Sequence, residues 1–249
     1  MIKYYISDIH RDINAIVKWI QDISFSCTNK HNAHTEYLAV LGDSGLNYYL
    51  DERDRAIKRI LQDEILKLKE KTGIHLQILF VRGNHECRVS GLRNYIKKEK
   101  FGGKVFIEEE YSDLVFLEDG SFYDIGGENY LVLGGGYSDD YFERILNGYG
   151  WWKDEELSEE EMKLIGEKID RQIPQEVNVL SHMLPAGIIP TQHSAKRTEL
   201  FLKEILDKHK SKIKFWYAGH YHAEVQVNSQ IFIIYNRVYS RLREDKTIW

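Results

Sequence analysis

Apolar runs and polar breaks alternate along this chain so that most of its elements can be placed before any chemistry is considered. Residues 2–6 form a short apolar run without helical period, which predicts a buried strand. Residues 14–21 put Ala15, Ile16, Trp19 and Ile20 on one face, which predicts a helix, and residues 24–35 are polar and predict a loop. A second strand is expected at 37–41. Over 51–71, Ile57, Ile60, Leu61, Ile65 and Leu68 recur at spacings of three and four, an amphipathic helix that Gly73 is suited to close in a left-handed conformation. A third strand is expected at 76–81. Strand–helix–strand–helix–strand implies a parallel sheet with helices packed on it.

The pattern then changes. Segments near 105–107, 114–117, 121–125 and 129–133 are short, with turn signals at 118–120 and 126–127, and predict an antiparallel meander. Gly134–Gly136 open an irregular stretch over 137–157 that holds Tyr137, Tyr141, Tyr149, Trp151 and Trp152. Ser158 and Glu161 form a capping-box pattern for a helix running to about residue 171. A strand at 177–180, a helix at 198–208, a strand at 214–218 and a hairpin about Asn228 and Ser229 complete the series. The expected architecture is one domain over 1–249, a four-layer α/β/β/α sandwich of two mixed sheets, with an internal cap at about 137–172. The first sheet is expected from the N-terminal half, and the second from the meander and the terminal hairpin.

Composition narrows the class. The 249 residues are 43% hydrophobic and 29% charged, a globular balance, and the net charge of −5 gives no global basic footprint for nucleic acid. No apolar run approaches the roughly 20 residues needed to span a bilayer. The chain begins as a strand and not as a signal sequence. Cys27 and Cys87 are too few and too dispersed for a disulfide framework, so a reducing cytoplasm is the expected compartment.

Hard metal-ligand residues close five of the predicted strands. They are Asp8 and His10 in ISDIH, Asp43 in VLGDSG, Asn84 in VRGNHE, His182 in VLSHMLP, and His220 and His222 in WYAGHYH. Ligands of open α/β sheets lie beyond the carboxyl ends of the strands, so these residues are expected to gather at one sheet edge. Carboxylate, imidazole and amide oxygen together suit divalent cations, and a closely spaced pair of cations serves in-line attack on phosphorus. Gly42, Gly83 and Gly219 each precede a ligand and are expected to allow tight turns there. A single histidine near a strand end is ordinarily a surface or satisfied core residue; it is the ordered set that carries the reading.

ISDIH, GD, GNHE, SH and GHYH, in that order from Asp8 to His222, resemble the calcineurin-like metallophosphoesterases, and RGNHEC is especially similar to the phosphoprotein phosphatase form of the third block. The resemblance implies one metal at Asp8, His10, Asp43 and His222 and a second at Asp43, Asn84, His182 and His220. Asp43 would bridge two divalent ions drawn from manganese, iron, zinc or nickel. It implies attack by a metal-bridging hydroxide, with His85 assisting the leaving oxygen. Phosphoprotein phosphatases continue the second block with an Asp and an Arg. Here GDSGLNYYL has neither, so the partner of His85 is unassigned and one phosphate-binding arginine is missing. Arg11, where many relatives have glycine, is the candidate for a bidentate phosphate contact.

The leading expectation is a phosphatase acting on a phosphomonoester, either a small molecule or a phosphoprotein. The alternative is a phosphodiesterase on cyclic nucleotides, dinucleotides or nucleic acid, the last disfavoured by the acidic run over 154–161. A non-catalytic scaffold is a third reading, opposed by the filled ligand positions. Cys87 is expected to be a structural thiol; His31, His34, His75 and His209 are expected at the surface; His193 is a candidate substrate contact; and Trp151 and Trp152 are expected either buried under the cap or lining the pocket.

Overall fold

The computed structural model describes residues 1–27, 33–190 and 194–241. His31 and His193 lie outside the described residues. The first half runs β1 (Tyr4–Ile6), α1 (Asn14–Ser26), β2 (His34–Leu41), α2 (Glu52–Thr72) and β3 (Ile74–Val81). Asp51 caps α2 by accepting from the Arg53 N–H, and Gly73 ends it at φ 82°. This is the left-handed closure that glycine adopts without a Cβ penalty. Then come β4 (Ile96–Lys100), β5 (Gly103–Ile107), β6 (Leu114–Leu117), β7 (Ser121–Ile125) and β8 (Glu128–Leu133). The last part holds α3 (Tyr141–Leu146), α4 (Glu159–Gln172), β9 (Val177–Ser181), α5 (Arg197–His209), β10 (Ile213–Ala218), β11 (Val225–Gln226), β12 (Ile231–Ile233) and β13 (Tyr239–Ser240). The capping box at Ser158 and Glu161 starts α4 as expected.

Two mixed sheets face each other, in the orders β13-β1-β2-β3-β6-β5-β4 and β11-β12-β10-β9-β8-β7. The period of two along each strand builds the layers. Ala39, Leu41, Leu79 and Val81 meet Tyr130, Val132, Leu180 and Tyr217 in the core between the sheets. Leu38, Val40, Ile78 and Phe80 face the other way, against Ile16 and Ile20 of α1 and Leu61 and Ile65 of α2. Leu131, Leu133 and Val179 pack outward against Ile169 of α4 and Phe201 and Ile205 of α5. Each such fully buried aliphatic or aromatic side chain contributes roughly 1.5–3 kcal/mol. The result is the four-layer α/β/β/α sandwich.

The partition between sheets corrects the expected one. The meander splits at the turn after β6. β6 lies parallel to β3 and pairs with β5 in the first sheet, while β7 and β8 begin the second. All four residues of β6 are buried, so both of its faces must be covered, and only a place inside a sheet provides that. Two strands were not foreseen. β4, IKKEK, carries exposed charges suited to an unpaired outer edge, and β13 is two residues long and joins the first sheet beside β1. The stretch expected to be irregular contains the short helix α3.

Candidate metal centre

Parallel strands deliver their carboxyl ends to one end of the sandwich. Ser7–Asp8 follow β1, Gly42–Asp43 follow β2, Gly83–Asn84 follow β3, His182 follows β9 and Gly219–His220 follow β10. Hydrogen bonds join these loops, two within a sheet and one between the sheets. The His10 N–H donates to the Asp43 carbonyl (2.9 Å), the Gly219 N–H to the His182 carbonyl (3.0 Å), and the Asn236 N–H to the Ser7 carbonyl (3.0 Å).

The backbone here is strained. Asp8, His10, Arg11, Asp43, His220 and His222 all have positive φ, six of the eight non-glycine residues so found among the described residues. Such conformations cost of order 1–3 kcal/mol each and persist where the surroundings over-determine them, typically at functional sites. The glycines act differently from the expected turns. Gly42 is left-handed (φ 89°), but Gly83 and Gly219 are not. They are needed for closeness: a Cβ on Gly219 would stand 1.8 Å from Ser7 Oγ and 2.7 Å from Asp8 Oδ2.

All seven expected ligands and His85 come together. His182 Nε2 lies 3.4 Å from Asp43 Oδ1, His10 Nε2 3.8 Å from Asp43 Oδ2, and His222 Nε2 3.7 Å from Asp8 Oδ1. Three groups of ligand atoms are close enough to share an ion: Asp8 with His10 and His222, Asp8 with Asp43 and His182, and His10 with Asp43 and His85. His220 stands outside these groups. Its ring meets His182 edge-on (5.0 Å), and its N–H donates to both oxygens of Asp8 (3.1 and 2.9 Å). His222 stacks on Tyr235 (5.0 Å).

The donor set fits a cation on one geometric detail. His182 Nδ1 is 2.8 Å from the Leu41 carbonyl, which can only accept, so Nδ1 carries a hydrogen. Its Nε2 then faces Asn84 Oδ1 at 2.8 Å. The Asn84 amide is oriented by a relay in which Nδ2 donates to Ser138 Oγ (2.9 Å) and that hydroxyl donates to Glu155 Oε2 (2.6 Å). Two acceptor atoms so fixed need a proton or a cation between them. A ligating imidazole that donates its other N–H to a backbone carbonyl is the usual outer arrangement of a metal site. Without an ion, burial opposes charge on His182, but Asp43 and Asp8 outweigh burial and push it up to about 9. Burial raises Asp43, yet His182, His85 and His10 hold its carboxyl well below the ordinary range. Burial, and then His182, lower His220 to about 3.

Residues outside the motifs hold the loops. Glu86, buried, accepts from Ser44 Oγ and from the Gly83 N–H (2.9 Å), tying the second block to the third. The His85 N–H donates to Asp43 Oδ1 (2.9 Å). The His85 ring faces Asp43 through Nδ1 (3.8 Å) and Asp140 through Nε2 (3.6 Å), and burial lowers it to about 4 against the pull of Asp43. Ser138, Glu155 and Asp140 had no signal in sequence beyond following a glycine run. Arg11, the candidate for a phosphate contact, has protein partners in this structure. Its guanidinium is engaged by Asp54, by the carbonyls of Gly45 (3.0 Å) and Arg53 (3.1 Å) and by the Tyr49 ring (4.7 Å to the centroid). Asp54 also accepts from the Tyr49 and Leu50 N–H groups, so Arg11 is spent on anchoring the second-block loop to α2.

Of the remaining expectations, Cys87 is a half-buried free thiol whose pKa burial raises. His209 is buried against Asp170 (2.9 Å) and not at the surface. Trp152 meets Tyr48 edge-on (5.4 Å), and Trp151 lies against Tyr141 (6.0 Å). No helix among the described residues is long and apolar enough to cross a membrane.

Residues 4–224 match the calcineurin-like phosphoesterase family. No curated protein matches the chain. Similar solved structures include an Aquifex aeolicus protein of unknown function, 15% identical, with 98% of each chain covered and a TM-score of 0.41. A putative 5'-nucleotidase from Staphylococcus aureus is 11% identical over 93% of this chain and 47% of that one, with a TM-score of 0.46. A cold-active protein-tyrosine phosphatase from a psychrophilic Shewanella is 14% identical over 94% of this chain and 71% of that one, with a TM-score of 0.35. At such identities and scores these likenesses carry nothing about chemistry.

Proposed function

The chain belongs to the calcineurin-like phosphoesterase family, enzymes that hydrolyse phosphoester bonds, and from that premise we propose a dinuclear-metal phosphatase acting on a phosphomonoester, either a small molecule or a phosphoprotein. The observation that supports the metal is the convergence of the Asp8, His10, Asp43, His182 and His222 ligand atoms, with Asn84 Oδ1 2.8 Å from His182 Nε2. Asp8, His10, Asp43 and His222 would hold one divalent cation and Asp43, Asn84, His182 and His220 the other, with Asp43 shared. When bound, the cations supply a water-derived nucleophile at neutral pH and neutralise charge on the phosphoryl group.

The protein's own groups do the rest. Asp43 is kept ionised by the imidazoles around it, ready for two cations. His85, whose Nδ1 lies 3.8 Å from Asp43 Oδ2, would assist the leaving oxygen. A small cavity lined by Tyr137, Met183, Lys196 and Tyr221 opens next to His220. Of the internal cap expected at about 137–172, α4 packs as an outer helix of the sandwich, and the stretch before it brings Trp151 against Tyr141 and Trp152 against Tyr48. Two free cysteines suit a reducing compartment, which supports a cytoplasmic location.

The test is turnover of p-nitrophenyl phosphate against its bis ester after loading with manganese, nickel, zinc or iron. Preference for the monoester is expected, and preference for the bis ester favours a phosphodiesterase. Absence of bound metal and of activity with every cation favours a scaffold.

A further inference from the structure

α3 carries a second set of side chains into the site. Asp140, just before the helix, turns its Oδ1 to His85 Nε2 at 3.6 Å, while the ring's other nitrogen faces Asp43 Oδ2 at 3.8 Å. Asp140 occupies the N-cap position of α3, yet its side chain makes no capping hydrogen bond. An aspartate there ordinarily accepts from the first turn of its own helix. This one is drawn away by Arg144, whose Nη1 lies 3.2 Å from Asp140 Oδ2.

Arg144 is itself fixed. It is 8% exposed, and its Nε donates to the Gly150 carbonyl (3.1 Å). The Gly150 N–H donates in turn to the Tyr48 hydroxyl (3.1 Å), and Tyr48 belongs to the loop that carries Asp43. Contacts thus run from Tyr48 through Gly150, Arg144, Asp140 and His85 to Asp43, and the chain between 43 and 48 completes the circuit. Residue 150 has no room for a side chain, because a Cβ would stand 3.0 Å from Trp152 and 3.2 Å from Tyr48.

We infer that Asp140 is the positioning residue of His85, that Arg144 holds it in place, and that α3 is therefore part of the catalytic apparatus. The inference rests on the phosphoesterase reading above. A carboxylate stands opposite each ring nitrogen, at 3.6 and 3.8 Å, and side chains that orient a working residue commonly matter about 10–100-fold when removed.

The experiment is a double-mutant cycle on metal-loaded protein with p-nitrophenyl phosphate as substrate. Asp140→Asn is expected to lower kcat about 10–100-fold with KM and bound metal nearly unchanged. In a His85→Asn background the same change is expected to add nothing, because two residues acting as one unit are not additive. Arg144→Met, which keeps the apolar stem, is expected to reproduce part of the Asp140→Asn loss. Wild-type kcat in Asp140→Asn, or additive losses in the double variant, overturns the inference while leaving the phosphoesterase reading intact. A wild-type protein that holds no metal and turns over no substrate overturns both.

Discussion

A Cβ on residue 83 would stand 2.0 Å from Asp43 Oδ1, so the second- and third-block loops touch at a position that only glycine fills. Gly83 therefore sets where the central carboxylate lies. Gly83→Ala is expected to displace Asp43, with an overpacking cost of about 1–3 kcal/mol. Metal content by elemental analysis and kcat are both expected to fall well below wild type. Full metal occupancy in the variant would show that the carboxylate can retreat without losing its place.

His85 and the ligands separate by what each variant retains. His85→Asn is expected to keep its metal while kcat falls about 10²–10⁴-fold, the range for a group assisting proton transfer. Asp43→Asn is expected to lose both. Elemental analysis beside initial rates distinguishes the two; loss of metal from His85→Asn would move His85 into the ligand set.

Arg11 decides between anchoring and substrate contact. Asp54, 3% exposed at its side chain, loses its cationic partner in Arg11→Ala. Leaving a buried group short of a partner costs about 1–3 kcal/mol, so a lower Tm with KM nearly unchanged is expected. A raised KM at wild-type Tm would restore the phosphate contact that the sequence pattern suggested.

The pair Arg88–Glu161 ties the third block to α4 and gives stability a pH dependence. Burial raises the Glu161 carboxyl, but Arg88 (2.6 Å) and the Ser158 N–H (2.7 Å) outweigh it and hold the group at about 2. A depressed folded-state pKa contributes stability above the unfolded value near 4.5, lost as pH falls through about 2. Glu161 is 42% exposed, so solvent screening limits the contribution to under about 1 kcal/mol. The Tm deficit of Glu161→Gln is expected to be widest at pH 6–7 and to close toward pH 2–3; a gap constant with pH would assign the effect to the lost cap alone.

The metal-centre candidates were legible because each is a local event, a short apolar run followed at once by a hard ligand. Asp8, Asp43 and Asn84 could be placed at one edge from strand ends alone, since parallel strands share a direction. The helices over Glu52–Thr72 and Glu159–Gln172 were legible for the same reason, through spacing and caps. Arg11 was not, because its partners Asp54 and Arg53 lie on another element and nothing in ISDIHRD signals them. β4 was missed because an edge strand buries too little to leave a period, and the meander was misassigned because pairing partners of β6 come from residues far apart in sequence.

Order and chemistry along the chain thus determined the family, the layered fold and the identity of the candidate ligands. The choice of sheet for each strand, the requirement for glycine at 83 and 219, the commitment of Arg11 to α2 and the meeting of Asp140 with His85 were decided in three dimensions. Most of those are contacts between segments distant in sequence, such as Arg11 with Asp54 and residue 219 with Ser7, and their energies depend on close packing and shared desolvation, which no local window of sequence contains.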